Sequence, residues 1–159
     1  MASATLAVQI AKARGAYVIG TAREAKHPFL LALGTDEVID YTQVDFAETV
    51  RDIDVVLDTI GGDYGPRSLS VLRRGGTLVS LASWTDVPPA AEAEKLGIRT
   101  GFTFVEPDHA GLRAIAALVE AGRLRAEIDT VLPLEQAAKA HEQGETGRTT
   151  GKIVLTVIR

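Results

Sequence analysis

Short, continuous apolar runs recur along this chain, each separated from the next by a helical stretch and a glycine turn. Tyr17-Val-Ile19, Glu37-Val-Ile-Asp-Tyr41, Asp54-Val-Val-Leu-Asp58 and Thr77-Leu-Val-Ser-Leu81 carry their apolar residues side by side rather than in alternation. A strand with one wet face alternates, whereas a strand covered on both faces does not. Apolar strands alternating with helices predict an α/β fold, a doubly wound and mostly parallel sheet covered on both faces. No repeat, low-complexity tract or linker interrupts the pattern, so residues 1–159 read as one domain.

The punctuation supports this reading. Thr5–Arg14 reads as a helix with Leu6 and Ile10 on one face and Ala7 and Ala11 beside them; Ser3 or Thr5 is placed to cap it, and Gly15 ends it. Lys26–Leu33 forms a second helix with Pro28 in its first turn. Asp45 caps a short helix reaching Arg51, and Tyr64–Arg73 runs into Arg74-Gly-Gly76. Beyond Pro88-Pro89 come a helix at Ala90–Leu96, a strand at Ile98–Val105, and a helix capped by Asp108. Leu112, Ile115, Leu118 and Val119 share one face of that helix. A strand at Ile128–Leu132, a helix at Leu134–Glu145 and a strand at Lys152–Val157 complete the chain.

Composition removes several functions. There is no cysteine, so disulfides, thiolate catalysis and cysteine-based zinc sites are excluded within the sequence. A net charge of −4 argues against nucleic acid or an anionic membrane as partner. No apolar stretch approaches the ~20 residues that span a bilayer. Met1-Ala-Ser-Ala4 lacks a basic segment leading into an apolar one, so the expected location is the cytoplasm. His27, His109 and His141 show no ligand spacing. Ser80 and Ser83 have no histidine partner in view, and no catalytic residue is assigned.

In open parallel sheets, ligands bind beyond the carboxyl ends of the strands. The loop after Ile19 offers Thr21, Arg23 and Lys26 where an NAD site would carry an acid; a hydroxyl and two cations suit a 2′-phosphate, although a solvated helix start accounts for them equally well, and Glu24 stands among them. Asp58-Thr-Ile-Gly-Gly62 permits close approach of a ligand to the backbone, with a plain turn as the alternative. Leu81-Ala-Ser83 supplies small residues after a strand, and Tyr41 ends a strand where it can stack on an adenine or simply pack. Asp54 and Asp58, four apart on one strand, face the same way; Asp58, at the carboxyl end, is the functional candidate of the two.

Leu6-Ala-Val-Gln-Ile-Ala-Lys-Ala-Arg-Gly15, Val56-Leu-Asp-Thr-Ile-Gly-Gly62, Arg74-Gly-Gly-Thr-Leu-Val79, Pro133-Leu-Glu-Gln-Ala-Ala-Lys-Ala-His141 and Gly151-Lys-Ile-Val-Leu155 follow one another in order. Together they resemble the C-terminal, Rossmann-like half of the medium-chain dehydrogenase/reductase superfamily, in its quinone oxidoreductase-like, NADP-dependent zinc-binding dehydrogenase group. The resemblance implies hydride transfer between NADPH and a quinone, enone or other carbonyl, with no zinc in this chain. It implies that Thr21, Arg23 and Lys26 read the 2′-phosphate and that Tyr41 packs near the adenosine. Thr59, Ile60 and Gly61 would lie under the ribose, Leu81, Ala82 and Ser83 near the nicotinamide, Phe104 and Val105 at the carboxamide, and Arg148 near phosphate. It further implies a homodimer through the strand near residues 98–105.

The family's first strand, its glycine motif and its GroES-like domain have no counterpart in the sequence, and Met1-Ala-Ser-Ala4 occupies the glycine positions. Residues 1–159 are therefore expected to form an incomplete NADP-binding domain, truncated at its N-terminus. The start of the first helix would still favour an anion. The absent strand would lie between Tyr17–Ile19 and Asp54–Leu57, so the remaining strands are expected in the order 3-2-4-5-6, with the two inner edges paired or open. A non-catalytic dinucleotide-binding or dimerisation module, or a fragment without function, is the alternative.

Overall fold

Every strand pair is parallel, as the uninterrupted apolar runs predict. The computed structural model describes residues 2–157 and holds the strands in three sheets. These are β1 (Ile19–Thr21) with β2 (Glu37–Ile39), then β3 (Ile53–Asp58), β4 (Leu72–Ser80) and β5 (Arg99–Phe102), then β6 (Ile128–Pro133) with β7 (Lys152–Thr156). β1 and β3 belong to separate sheets, so the pairings of the described residues do not make up the expected single sheet in the order 3-2-4-5-6. The chain clusters into two units, one running to Asp40 and resuming at Asp108, the other Tyr41–Pro107.

In the first unit, α1 (Ala2–Ala13) and α2 (His27–Ala32) share a core of Val8, Ala22, Leu30 and Leu33, with Val18, Phe29 and Val38 against it. Ser3 and Thr5 lie inside α1 rather than capping it. Its buried face is Thr5, Val8 and Gln9, not Leu6 and Ile10. Gln9 is the reason. Its amide donates to Thr5 O at 3.0 Å and to Arg125 O at 3.1 Å, and its Oε1 accepts from Arg125 N at 2.9 Å, which turns that face inward. β1 starts two residues later than Tyr17, because the Asp36 carboxylate takes the Val18 NH at 2.7 Å and keeps it out of the ladder. The Lys12 ammonium bonds both Asp36 oxygens, and that contact, with the Val18 NH, holds the Asp36 carboxyl below its usual range.

The same unit contains α6 (His109–Glu120), β6, α7 (Ala137–Glu145) and β7. Asp108 caps α6 as predicted, accepting from Ala110 N and Gly111 N at 3.0 Å each. Leu112, Ile115 and Val119 do share a face, but it is an exposed one.

In the second unit, Leu69, Leu72, Leu78, Ala93 and Ile98 form the core between β3–β4–β5, α4 (Tyr64–Leu69) and α5 (Ala90–Leu96). The short α3 (Phe46–Thr49) is capped by Asp45, whose Oδ1 takes the Ala47 NH at 2.8 Å. α4 stops at Leu69 rather than Arg73 because Val71 O accepts from Ile53 N at 3.0 Å and Leu72 enters the ladder opposite Ile53. On the edge strand β3, Val55 is 61% and Leu57 41% exposed, while Leu78 in the middle strand is 1% exposed. The register shift between Ile53 and Val55 puts the extra residues Arg73–Gly76 on β4, opposite Asp54. Asp54 and Asp58 therefore differ in environment: Asp54 is exposed and paired with Arg73 at 2.6 Å, whereas Asp58 is buried.

Candidate functional site

The second unit aligns the ends of three adjacent parallel strands. Asp58 is opposite Ser80, and Ser80 opposite Phe102. The segments Thr59-Ile60-Gly61, Leu81-Ala82-Ser83 and Thr103-Phe104-Val105 therefore emerge side by side at the carboxyl edge, where open α/β sheets bind ligands. Phe104 and Val105 lie beyond β5, which is shorter than predicted. Phe104 stacks edge-on against Phe102 at 4.8 Å instead of continuing the ladder. Exposed apolar side chains mark this edge: Ile60 at 66%, Phe104 at 72% and Val105 at 97%.

Two buried side chains shape these loops. Asp58 Oδ1 accepts from Ile60 N and Gly61 N, both at 2.9 Å, while its Oδ2 is buried without a partner among the described residues. Gly61 and Gly62 follow with φ of 82° and 61°, a conformation that only glycine adopts readily. A Cβ on Gly61 would run into the Asp86 carboxylate, whereas one on Gly62 would meet nothing, so the chain leaves open space there. Ser80, 1% exposed, donates to Ser83 O at 3.3 Å and accepts from Ala82 N at 3.4 Å, folding the next loop over itself. The NH of Leu81 bonds Asp58 O at 2.8 Å and ties the two loops together. Ser83 caps the short turn Trp84–Asp86, accepting from Thr85 N at 3.2 Å.

Sequence reasoning picked Asp58 for its position but missed this backbone-holding role and missed Ser80. A short acceptor side chain directly before a Gly-Gly turn is the signal that could have found the first. It also missed the cluster in which Arg67 lies over the rings of Phe46 and Tyr64, at 4.9 and 5.4 Å, and bonds Asp45 at 2.6 Å. That contact, with the Ala47 NH, holds the Asp45 carboxyl below its usual range. Tyr41 is 41% exposed.

In the first unit Lys26 reaches the backbone of Arg148, and Thr21 and Arg23 precede Lys26 in the loop after β1. Thr21 is exposed at the end of β1, and Arg23 precedes the turn Glu24–Lys26 that leads into α2. The Lys26 ammonium donates to Arg148 O at 2.7 Å and to the Thr150 hydroxyl. Asp40, one residue past β2, accepts from Glu24 N at 3.1 Å. The start of α1, expected to favour an anion, is described from Ala2 onward, and Met1 lies outside the described residues.

The sequence contains no cysteine, and the described residues hold no group of three or more His, Asp or Glu arranged for a metal. Nor, among them, is any helix long and apolar enough to cross a membrane.

The zinc-binding dehydrogenase family profile matches residues 33–155. The 2-haloacrylate reductase of a Burkholderia species is 34% identical over 160 residues, covering 89% of this chain and 48% of that protein. A mitochondrial NAD(P)H oxidoreductase of Mus musculus is 29% identical over 182 residues, covering 97% of this chain and 45% of its own. The solved quinone oxidoreductase of Coxiella burnetii superposes with a TM-score of 0.87 at 34% identity, over 99% of this chain and 50% of that one. The chain thus spans about half the length of the relatives it matches. With its parallel α/β architecture and its loops at the carboxyl ends of the strands, the chain belongs to the zinc-binding dehydrogenase family of oxidoreductases.

Proposed function

We propose that this chain binds NADPH in preference to NADH and forms the cofactor-holding part of an oxidoreductase that passes hydride to a quinone, enone or similar activated carbonyl. The observation that carries the reading is the alignment of Asp58, Ser80 and Phe102 at one sheet edge, with exposed apolar residues directly after them. Such an edge suits a flat, weakly polar ring, and the open space at Gly62 admits a ribose close to the backbone. Thr59, Ile60 and Gly61 would hold the ribose, while Leu81, Ala82, Ser83, Phe104 and Val105 would flank the nicotinamide. In the first unit, Thr21, Arg23 and Lys26 would meet the 2′-phosphate and Arg148 would lie near phosphate; Tyr41, of the second unit, would pack near the adenosine. Asp40, the acid in that neighbourhood, is engaged by the Glu24 NH. The nicotinamide supplies the hydride, and the protein supplies position and charge.

The test is calorimetric titration of the purified chain with NADPH and with NADH, followed by NADPH oxidation at 340 nm with a panel of quinones and enones. Tighter binding of NADPH supports the cofactor reading, and failure to bind either nucleotide overturns it. Binding without turnover favours a cofactor-binding or dimerisation module instead. β5 gives that second reading its basis, because it ends the β3–β4–β5 sheet with one ladder edge unpaired among the described residues. A dimer in sedimentation that Thr100→Pro dissolves would support pairing through this strand.

A further inference from the structure

We propose that the exposed apolar face of α6 pairs with the same face of a second copy of this chain, the two helices running antiparallel about a two-fold axis between Ile115 and Ala116. The inference does not depend on the NADPH reading. It concerns the first unit, whereas β5 belongs to the second.

α6 is fixed at both ends and bare between them. Asp108 takes the NH groups of Ala110 and Gly111 at its start, and past its end the Arg123 NH donates to Leu118 O at 2.8 Å. Along the helix only Gly111 and Leu118 are half-buried, and every other residue is exposed. Leu112, Ile115, Ala116 and Val119 fall within an arc of about 100° around the axis. Leu112 is 64% and Val119 51% exposed, so the chain's own packing leaves this arc in water. An apolar arc of this width on a helix is the pattern that packs against another element.

The charges beside the arc point to what covers it. Arg113 and Glu120 lie on one flank, about 20° apart around the axis and ~10 Å apart along it. Both are exposed, and among the described residues neither side chain has a hydrogen bond or ion pair. An antiparallel two-fold keeps these charges on one side of the helix pair. It brings Arg113 opposite the partner's Glu120, within ~3 Å along the axis, and does so twice. The same operation sets Leu112 against the partner's Val119, and Ile115 against the partner's Ala116, large against small. A parallel pair would instead set Arg113 against the partner's Arg113. The face is thus complementary to itself in one direction only, as an isologous contact requires. A helix of 12 residues offers less than the ~800 Å² per partner of a standard interface, so the pairing is weak, with a dissociation constant on the order of 100 μM.

Sedimentation equilibrium of the full chain between about 10 μM and 1 mM tests this. The unaltered chain should show an association step that Leu112→Glu weakens at least about a hundredfold, because the contact would then bury two carboxylates. Position 112 is exposed, so the urea midpoint of that variant should not move, which separates lost pairing from lost folding. Thr100→Pro, which acts on β5, should leave the step in place. Charge reversal then fixes partner and direction. Arg113→Glu and Glu120→Arg should each weaken the step roughly tenfold, since each alone sets like charges opposite one another at both ends of the contact. An equimolar mixture of the two variants should associate as strongly as the unaltered chain, and so should a chain carrying both changes. The absence of any step that Leu112→Glu weakens would overturn the proposal, as would loss of that step in Thr100→Pro. A mixture no stronger than its two components would exclude the antiparallel register and overturn it equally.

Discussion

The loop after β1 and the loops after β3 and β4 all sit at carboxyl ends of parallel strands, yet they are held in opposite ways. After β3 and β4, the holding groups are buried and their bonds are short-range: Asp58 takes the NH groups of Ile60 and Gly61, and Ser80 spans Ala82 to Ser83. After β1, the holding group is the half-buried Lys26, and its bonds reach far along the chain, to Arg148 and Thr150. Buried acceptors fix backbone shape whether or not a ligand is present. Exposed cations add little to folding but select a ligand by its charge. Substitutions in the first kind of loop should therefore register in stability, and substitutions in the second in affinity.

The largest effect that would break this contrast is at Asp58. Asp58→Ala strands two inward-facing NH groups and should cost about 3 kcal/mol, measured as the urea midpoint at constant slope. Asp58→Asn retains an acceptor at the Oδ1 position and should cost less than about 1 kcal/mol. Equal losses in the two variants would mean that the charge matters and the NH contacts do not. Next comes Gly61→Ala, which forces an L-residue to φ 82° and pushes aside the Asp86 carboxylate. It should lower stability by about 1–2 kcal/mol, and Asp86→Ala in the same chain should restore part of that.

The same contrast explains what could be read from the sequence. Strand pairing, parallel direction and the Asp45 and Asp108 caps were legible because each depends on a few neighbouring residues. Thr21, Arg23 and Lys26 were legible as a cationic cluster because charge is visible in residue type. Lys26's partner was not, since it lies more than a hundred positions away and is a backbone carbonyl, which carries no residue signature. The buried face of α1 was misread because Gln9 counts as polar in any hydropathy pattern, although its bonds to Thr5 and Arg125 let it turn inward. The exposed faces of β3 and α6 show the limit of periodicity: it identifies an apolar face but not what covers it.

At the cationic loop the expected change is in binding. Arg23→Gln should weaken NADPH roughly tenfold and leave NADH unchanged, with the unfolding midpoint unmoved. The NADPH advantage should shrink as salt is raised, because exposed charges about 10 Å apart are screened at ~0.1 M. If Arg23→Gln weakened both nucleotides alike, the loop would be selecting by shape after all, and the distinction between the two kinds of loop would fail.

The smallest effect concerns Asp129, which accepts from the NH of Thr150 at 2.7 Å. The NH of Thr150 is the main cause that holds its carboxyl below the usual range, followed by the Thr130 hydroxyl, with the Lys26 charge contributing less. A carboxyl whose folded pKa is depressed adds stability above its unfolded value of about 3.9, and that stability is lost as pH falls through the folded pKa. Asp129 is exposed, so solvent screening keeps the contribution to roughly a few tenths of a kcal/mol. The urea midpoint of the unaltered chain should accordingly drop slightly more steeply than that of Asp129→Asn between about pH 5 and pH 2. Asp36 and Asp45, also held low by their partners, remain in both proteins and cancel from the comparison. Parallel curves would show that the Thr150–Asp129 bond adds nothing to folding. A gap as large as that of Asp58→Ala would instead make the charged loop a structural element of the first kind.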